Sequence, residues 1–245
     1  MGNLIDLTKK AGIVLEKKNL NGVKAEIVLV IDQSGSMRTL YKNGTVQELV
    51  ERLLAIGMNM DANKEIDVFQ FNQGSNYVGV ATEANHATFV KDNNMGVSGT
   101  TKYAPVMEDV VTKYGIALNV DQEPVTKSLL GGLFNKKTVE APKKPAYPTF
   151  VLFITDGNNS DKREATRIVR ESSTQPIFWQ FVGIGKEEFT FLQKLDDLKD
   201  RHVDNADFFK VDDIMNITDE ELYDKLLTEF PDWLSEIKAK DMLAL

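Results

Sequence analysis

Unbroken apolar runs ending in an acid mark the interior of this chain. The first, Glu26-Ile27-Val28-Leu29-Val30-Ile31-Asp32, is apolar at every position from Ile27 to Ile31. The second, Phe150-Val151-Leu152-Phe153-Ile154-Thr155-Asp156, repeats the design. A strand apolar at every position is covered on both faces, as in a parallel sheet. Ile66–Phe71, Ile177–Ile184 and Ala206–Val211 read as further strands. Between them the period changes. Val46, Leu49, Val50, Leu53, Leu54 and Met58 mark one face of a helix over about 46–60. Val106, Val110, Val111 and Tyr114 mark another, with Pro105 in the first turn, where its missing N–H has no partner to lose. The pattern predicts further helices over 161–173 and 187–198. Strands alternating with helices give a parallel α/β sheet with right-handed crossovers.

The two ends read as helical additions. Leu4, Leu7, Ala11, Val14 and Leu15 recur at helical spacing over 4–18. Thr218-Asp219-Glu220-Glu221 is a capping box, followed by Leu222, Leu226 and Phe230. Pro231 restarts a last helix with Trp233, Leu234 and Ile237. The expected organisation is an N-terminal helical extension over 1–22, one domain over 23–215, and C-terminal helices over 216–245 packed on it. Residues 119–148 break the pattern with Pro124, Pro142, Pro145 and Pro148 and a scatter of lysines. So long a connection inside a compact domain is either a functional docking segment or a loop without fixed structure.

Composition narrows the partners. Lys plus Arg total 29 against 37 Asp plus Glu, a formal net charge of −8. That balance argues against sequence-independent nucleic-acid binding, which needs basic surface. Without cysteine, disulfides, thiolate zinc sites and cysteine nucleophiles are excluded. No apolar run approaches the roughly 20 residues of a bilayer span. Asp6, Lys9 and Lys10 interrupt the start where a signal peptide needs apolar residues. The expected location is cytoplasmic, with no membrane partner.

Candidate chemistry gathers at strand ends. The first apolar strand runs into Asp32-Gln33-Ser34-Gly35-Ser36, a carboxylate and two hydroxyls on a tight turn. Open α/β sheets bind ligands at the carboxyl ends of their strands. Three hard oxygen donors there suit Mg²⁺ or Mn²⁺. The second apolar strand ends in Thr155-Asp156-Gly157, a further carboxylate on the same rim. Between them lies Gly96-Val97-Ser98-Gly99-Thr100-Thr101-Lys102-Tyr103-Ala104-Pro105, rich in hydroxyls.

These motifs, in this order, resemble the von Willebrand factor A (vWA) domain, which carries a metal-ion-dependent adhesion site (MIDAS). The likeness covers most of residues 24–215. The stretch Thr101-Lys102-Tyr103-Ala104-Pro105 and the leading Leu15-Glu16-Lys17-Lys18 are closest to bacterial tellurium-resistance-associated members, which are cytoplasmic. The resemblance implies a Rossmann-like, doubly wound, mostly parallel sheet flanked by helices. It implies metal coordination by the hydroxyls of Ser34 and Ser36, with Asp32 holding the site through waters and hydrogen bonds. Thr101 matches the loop threonine, although Thr100 stands where the family has a second glycine, so either can fill the role. Asp156 supplies the remaining carboxylate.

Neutral hydroxyls leave a cation poorly neutralised and open to an anionic ligand. A partner's Asp or Glu can complete the octahedron around Mg²⁺ (or Mn²⁺ or Ca²⁺). The expected function is metal-dependent protein binding, as an adaptor in a bacterial stress or tellurium-resistance complex, with no enzymatic step. The alternatives are a metal-assisted phosphatase or hydrolase, and a scaffold with a purely structural metal. His86 and His202 lie beside no nucleophile in sequence, and no Gly-x-Ser-x-Gly elbow surrounds Ser34 or Ser98. Glu188 replaces the third glycine of a dinucleotide fingerprint after Gly183 and Gly185.

Overall fold

The structure, a computed structural model, describes residues 4–116 and 144–244. Most of the 119–148 segment therefore lies outside the described residues. Six strands form one sheet: β1 (Glu26–Asp32), β2 (Ile66–Phe71), β3 (Ser75–Ala81), β4 (Thr149–Thr155), β5 (Ile177–Ile184) and β6 (Ala206–Val211). Their order is β3-β2-β1-β4-β5-β6. All neighbours are parallel except β2 and β3. The chain winds outward from β1 to β3, then returns to the centre at β4 and winds the other way. The direction of winding therefore switches between β1 and β4, where open sheets of this kind leave a crevice.

Helices cover both faces. On one lie α1 (Leu4–Lys17), α3 (Thr45–Met60), α8 (Asp219–Leu226) and α9 (Phe230–Ala239). On the other lie α5 (Ala104–Tyr114), α6 (Lys162–Ser172) and α7 (Thr190–Asp196). Two short helices complete the described chain. A single turn at Gly35–Met37 leads into α2 (Arg38–Lys42), and another at His86–Thr88 leads into α4 (Phe89–Asp92). The strand alternation divides the core. Ile27, Leu29 and Ile31 face the first helical layer, whereas Val28 and Val30 face the second. All five are almost wholly buried, which explains why β1 carries no polar position before Asp32.

The terminal helices are part of this packing. Leu4, Leu7, Ala11, Val14 and Leu15 are buried, and α1 lies against α3 and α8. Phe230 and Trp233 of α9 pack against Phe178 of β5 at ring-centroid distances of 5.8 and 5.2 Å. Arg52 of α3 ties α8 down from inside. Its side chain is 3% exposed, pairs with Asp219 at 2.9 Å, and donates to the carbonyls of Ile214 and Ile217. Thr218 Oγ1 accepts from Glu221 N at 3.2 Å, the forward half of the capping box.

The structure departs from the periodicity in two places. β3 has no counterpart among the strands read from the sequence. It is an antiparallel edge strand, half-exposed, with a bulge opposite Val68/Phe69 and Gly79 at φ +140°. A solvated, interrupted strand lacks the apolar run that marks its neighbours. The helix read over 187–198 spans only Thr190–Asp196, because Phe189 takes a left-handed conformation at φ +47°. Among the described residues, no helix is long and apolar enough to cross a membrane.

Candidate metal centre

The centre forms at the winding switch. Asp32 is the last residue of β1 and is fully buried. Its carboxylate accepts from Ser34 N at 2.7 Å, which closes the tight turn after the strand. Its other oxygen accepts from Thr155 Oγ1, the last residue of β4, also at 2.7 Å. This pair spans the crevice and fixes the carboxylate. Above it, Ser34 Oγ and Ser36 Oγ lie 3.0 Å apart. Ser36 Oγ donates to Asp156 Oδ1 at 2.7 Å. Ser34 is buried, Ser36 exposed and Asp156 half-buried, so the oxygens rise from the interior to the surface. The two serines open into a cleft lined also by Thr100, Thr101, Asn159 and Ser160.

Three loops build that cleft, and hydrogen bonds lock them together. Ser98 N donates to Gln33 O at 2.7 Å, which joins the Gly/Thr loop to the β1 turn. Asn72, after β2, donates to Ser98 O and Oγ at 3.1 Å and accepts from Lys102 N. On the other side, Ser160 N donates to Thr101 O at 3.0 Å. Asp161 then accepts from Tyr103 N at 3.0 Å and Ala104 N at 2.7 Å. It thereby caps the start of α5, a helix that lacks a capping side chain of its own. Tyr103 is wholly buried and donates to Gly157 O at 2.7 Å.

Burial pushes the Asp32 carboxyl above its usual range, against the opposing pull of its hydrogen bonds from Thr155 and Ser34. Burial also raises Asp156, and the charge of Asp32 raises it further. Both groups therefore sit where a positive charge relieves them. The oxygen spacing fits the same group. An octahedral Mg²⁺ with ligands near 2.1 Å has neighbouring oxygens about 3.0 Å apart. The donor set is all oxygen, which suits a hard cation. Ser34, Ser36 and Asp156 would hold it, with Asp32 beneath and a threonine of the 99–101 loop beside it.

Of the residues singled out from sequence, Asp32, Ser34, Ser36 and Asp156 form one hydrogen-bonded group. Thr100 and Thr101 both line the cleft, the first exposed and the second half-buried. Neither histidine lines it. Sequence reasoning gave no role to Thr155, which touches Asp32 directly, or to Asp161, which anchors the start of α5. The signals were there: a hydroxyl closing an apolar strand, and an acid just before a helix.

A family model described as "vWA found in TerF C terminus" matches residues 24–126 and 133–243. An uncharacterised protein, YcbR, of Bacillus subtilis (strain 168) is 40% identical over 245 residues, covering 98% of this chain and 90% of the relative. Among solved structures, an aerotolerance-related membrane protein of Bacteroides fragilis superposes with a TM-score of 0.53 at 12% identity, covering 85% of this chain and 99% of that one. A proximal thread matrix protein of mussel byssus, described with a zinc-occupied MIDAS motif, gives 0.47 at 16% identity, covering 84% of this chain and 46% of that one. The family match spans most of the chain, and the six-stranded, mostly parallel sheet flanked by helices is consistent with that fold. The chain belongs to the TerF-like family of von Willebrand factor A domains.

Proposed function

We propose that the β1–β4 centre binds a divalent cation, Mg²⁺ or Mn²⁺ (or Ca²⁺), and that the chain is a metal-dependent protein-binding adaptor. One observation carries this reading: Ser34 Oγ, Ser36 Oγ and Asp156 Oδ1 form a continuous row of contacts whose two serines line an open cleft. When bound, the cation supplies a Lewis-acidic position for an anionic oxygen. Asp32 holds the turn that presents Ser34 and Ser36. Asp156 and Ser36 orient each other. The cleft lining is serine, glycine, threonine and asparagine, with no histidine among them, and the Asp32 and Asp156 carboxylates are already engaged by Thr155, Ser34 and Ser36. That lining favours recognition of a partner's Asp or Glu carboxylate over hydrolysis. Participation in a bacterial stress or tellurium-resistance complex is the biological setting we infer from the family.

Calorimetric titration of chelator-treated protein with Mg²⁺ and Mn²⁺ tests the centre. Saturable binding is expected for the wild type and not for Ser34→Ala or Asp32→Ala. Equal binding by both variants would remove the assignment. Metal-dependent turnover of a phosphoester, lost in Asp32→Ala, would replace the adaptor reading with an enzymatic one.

A further inference from the structure

A second group of acids lies three strands away from β1, at the β6 edge. Asp207 is near the start of β6, Asp196 closes α7, and Glu229 immediately precedes α9. Helices from both faces of the sheet thus bring carboxylates to one point. One oxygen of each acid lies within 4.8 Å of the other two. Oxygens that ligate Ca²⁺ at about 2.4 Å are at most about 4.8 Å apart. None of the three makes an ion pair within 4.0 Å among the described residues.

An independent feature points to a missing ligand. Gln180 on β5 sits directly beside Asp207 in the sheet register and is fully buried. Its amide approaches Asp207 closely enough to ease ionisation there, yet neither amide atom completes a hydrogen bond. Asp207 is 7% exposed, and its Oδ2 also lacks a partner. Buried polar groups are rarely left unpaired, so three convergent carboxylates, one with an unsatisfied buried oxygen, beside an unpaired buried amide mark a place for a ligand. The surrounding charges agree. Asp197, Asp204, Asp232 and Glu236 add negative potential, opposed by Arg201 and Lys18. Arg201 binds Asp204 and the carbonyls of Asp196 and Leu198 through Nε and Nη2, which leaves only its buried Nη1 unpaired.

We propose that Asp196, Asp207 and Glu229, beside the buried amide of Gln180, form a second divalent-cation site suited to Ca²⁺. Three strand spacings of about 4.8 Å separate β6 from β1, so this site lies more than about 14 Å from the first centre and shares no residue with it. It links α7, β6 and α9, and a bound cation would clamp the C-terminal helix to the sheet edge.

Tryptophan-sensitised terbium luminescence on the chelator-treated full chain tests this, because Trp233 lines the same small cavity as Glu229. Sensitised emission displaced by Ca²⁺ is expected in the wild type and in Ser34→Ala. Asp196→Asn and Glu229→Gln should weaken Ca²⁺ binding by more than the roughly 10–100-fold seen for outer-sphere partners. Both positions are half-exposed, and circular dichroism checks their folding. Trp233→Phe should lose the emission but keep the calorimetric Ca²⁺ binding. Unchanged Ca²⁺ affinity and stoichiometry in folded Asp196→Asn and Glu229→Gln would overturn the site. So would a wild type with neither emission nor Ca²⁺ heat at this locus. Loss of the emission in folded Ser34→Ala would trace it to the first centre and would likewise overturn the second.

Discussion

Single side chains carry the positioning of this molecule. Asp161 is the clearest case, since one carboxylate accepts two backbone N–H groups from a different loop. Hydrogen bonds to a charged group contribute about 1.5–3 kcal/mol each, and less where solvent competes. Asp161→Ala is therefore expected to cost about 2 kcal/mol, or roughly 4–8 °C in Tm for a chain of this size. It should also weaken Mg²⁺ binding, because the 98–104 loop loses its anchor. A variant with wild-type Tm and affinity would show that the loop holds itself. Asp196 and Glu229 set the pH response. Burial first, and neighbouring acids second, push both up to about 7. Unfolded carboxyls titrate near about 4. Between those values the folded chain keeps protons that the unfolded chain has released, so stability falls as pH rises from about 4 through about 7. Thermal scans across that window without added cation should show the decline, and Asp196→Asn should flatten it.

At the level of elements, close approach overrides propensity. Gly57 lies inside α3, where alanine is intrinsically better by about 1 kcal/mol. A Cβ there would meet Ile66 Cγ2 at 2.6 Å and the Glu65 carbonyl oxygen at 2.8 Å. Overpacking of this kind costs about 1–3 kcal/mol, and the backbone atom cannot swing aside. Gly57→Ala is thus expected to destabilise by about 1–2 kcal/mol in urea unfolding. A more stable variant would mean that α3 can shift away from β2. The strands show the same dependence on context. β1 and β4 announce themselves because both faces are covered, so every position is apolar. β3 does not, because one side of an edge strand faces water and Gly79 interrupts it. Its place in the sheet comes from pairing with β2.

Across the whole molecule, the C-terminal helices complete the core. Arg52 is the buried staple, with its guanidinium shared among Asp219, Ile214 O and Ile217 O. Its backbone carbonyl also accepts from Tyr223. Removing the guanidinium leaves the Ile214 and Ile217 carbonyls without their donor, at about 1–3 kcal/mol each, while Asp219 keeps its pair with Lys10. Arg52→Met is expected to lose about 3 kcal/mol in denaturant unfolding, with α8 the first helix to lose amide-exchange protection. Full stability in that variant would mean that the hydrophobic seam of Leu222, Leu226 and Phe230 suffices alone.

The sequence by itself determined the alternation of strands and helices, the buried character of β1, β4 and β5, and the oxygen-rich turn after β1. These are local properties: a run of apolar residues, a period, an acid at a strand end. They placed Asp32, Ser34, Ser36 and Asp156 as candidates, with the loop threonine open between Thr100 and Thr101. Tertiary structure alone decided what meets across the chain. Thr155 reaches Asp32 because β1 and β4 are neighbours at the winding switch. Asp161 caps a helix that begins far before it in the sequence. Asp196, Gln180, Asp207 and Glu229 share no motif, and they converge only because α7 and α9 reach the β6 edge from opposite faces. Such contacts depend on sheet order and helix packing, and no short-range pattern encodes them.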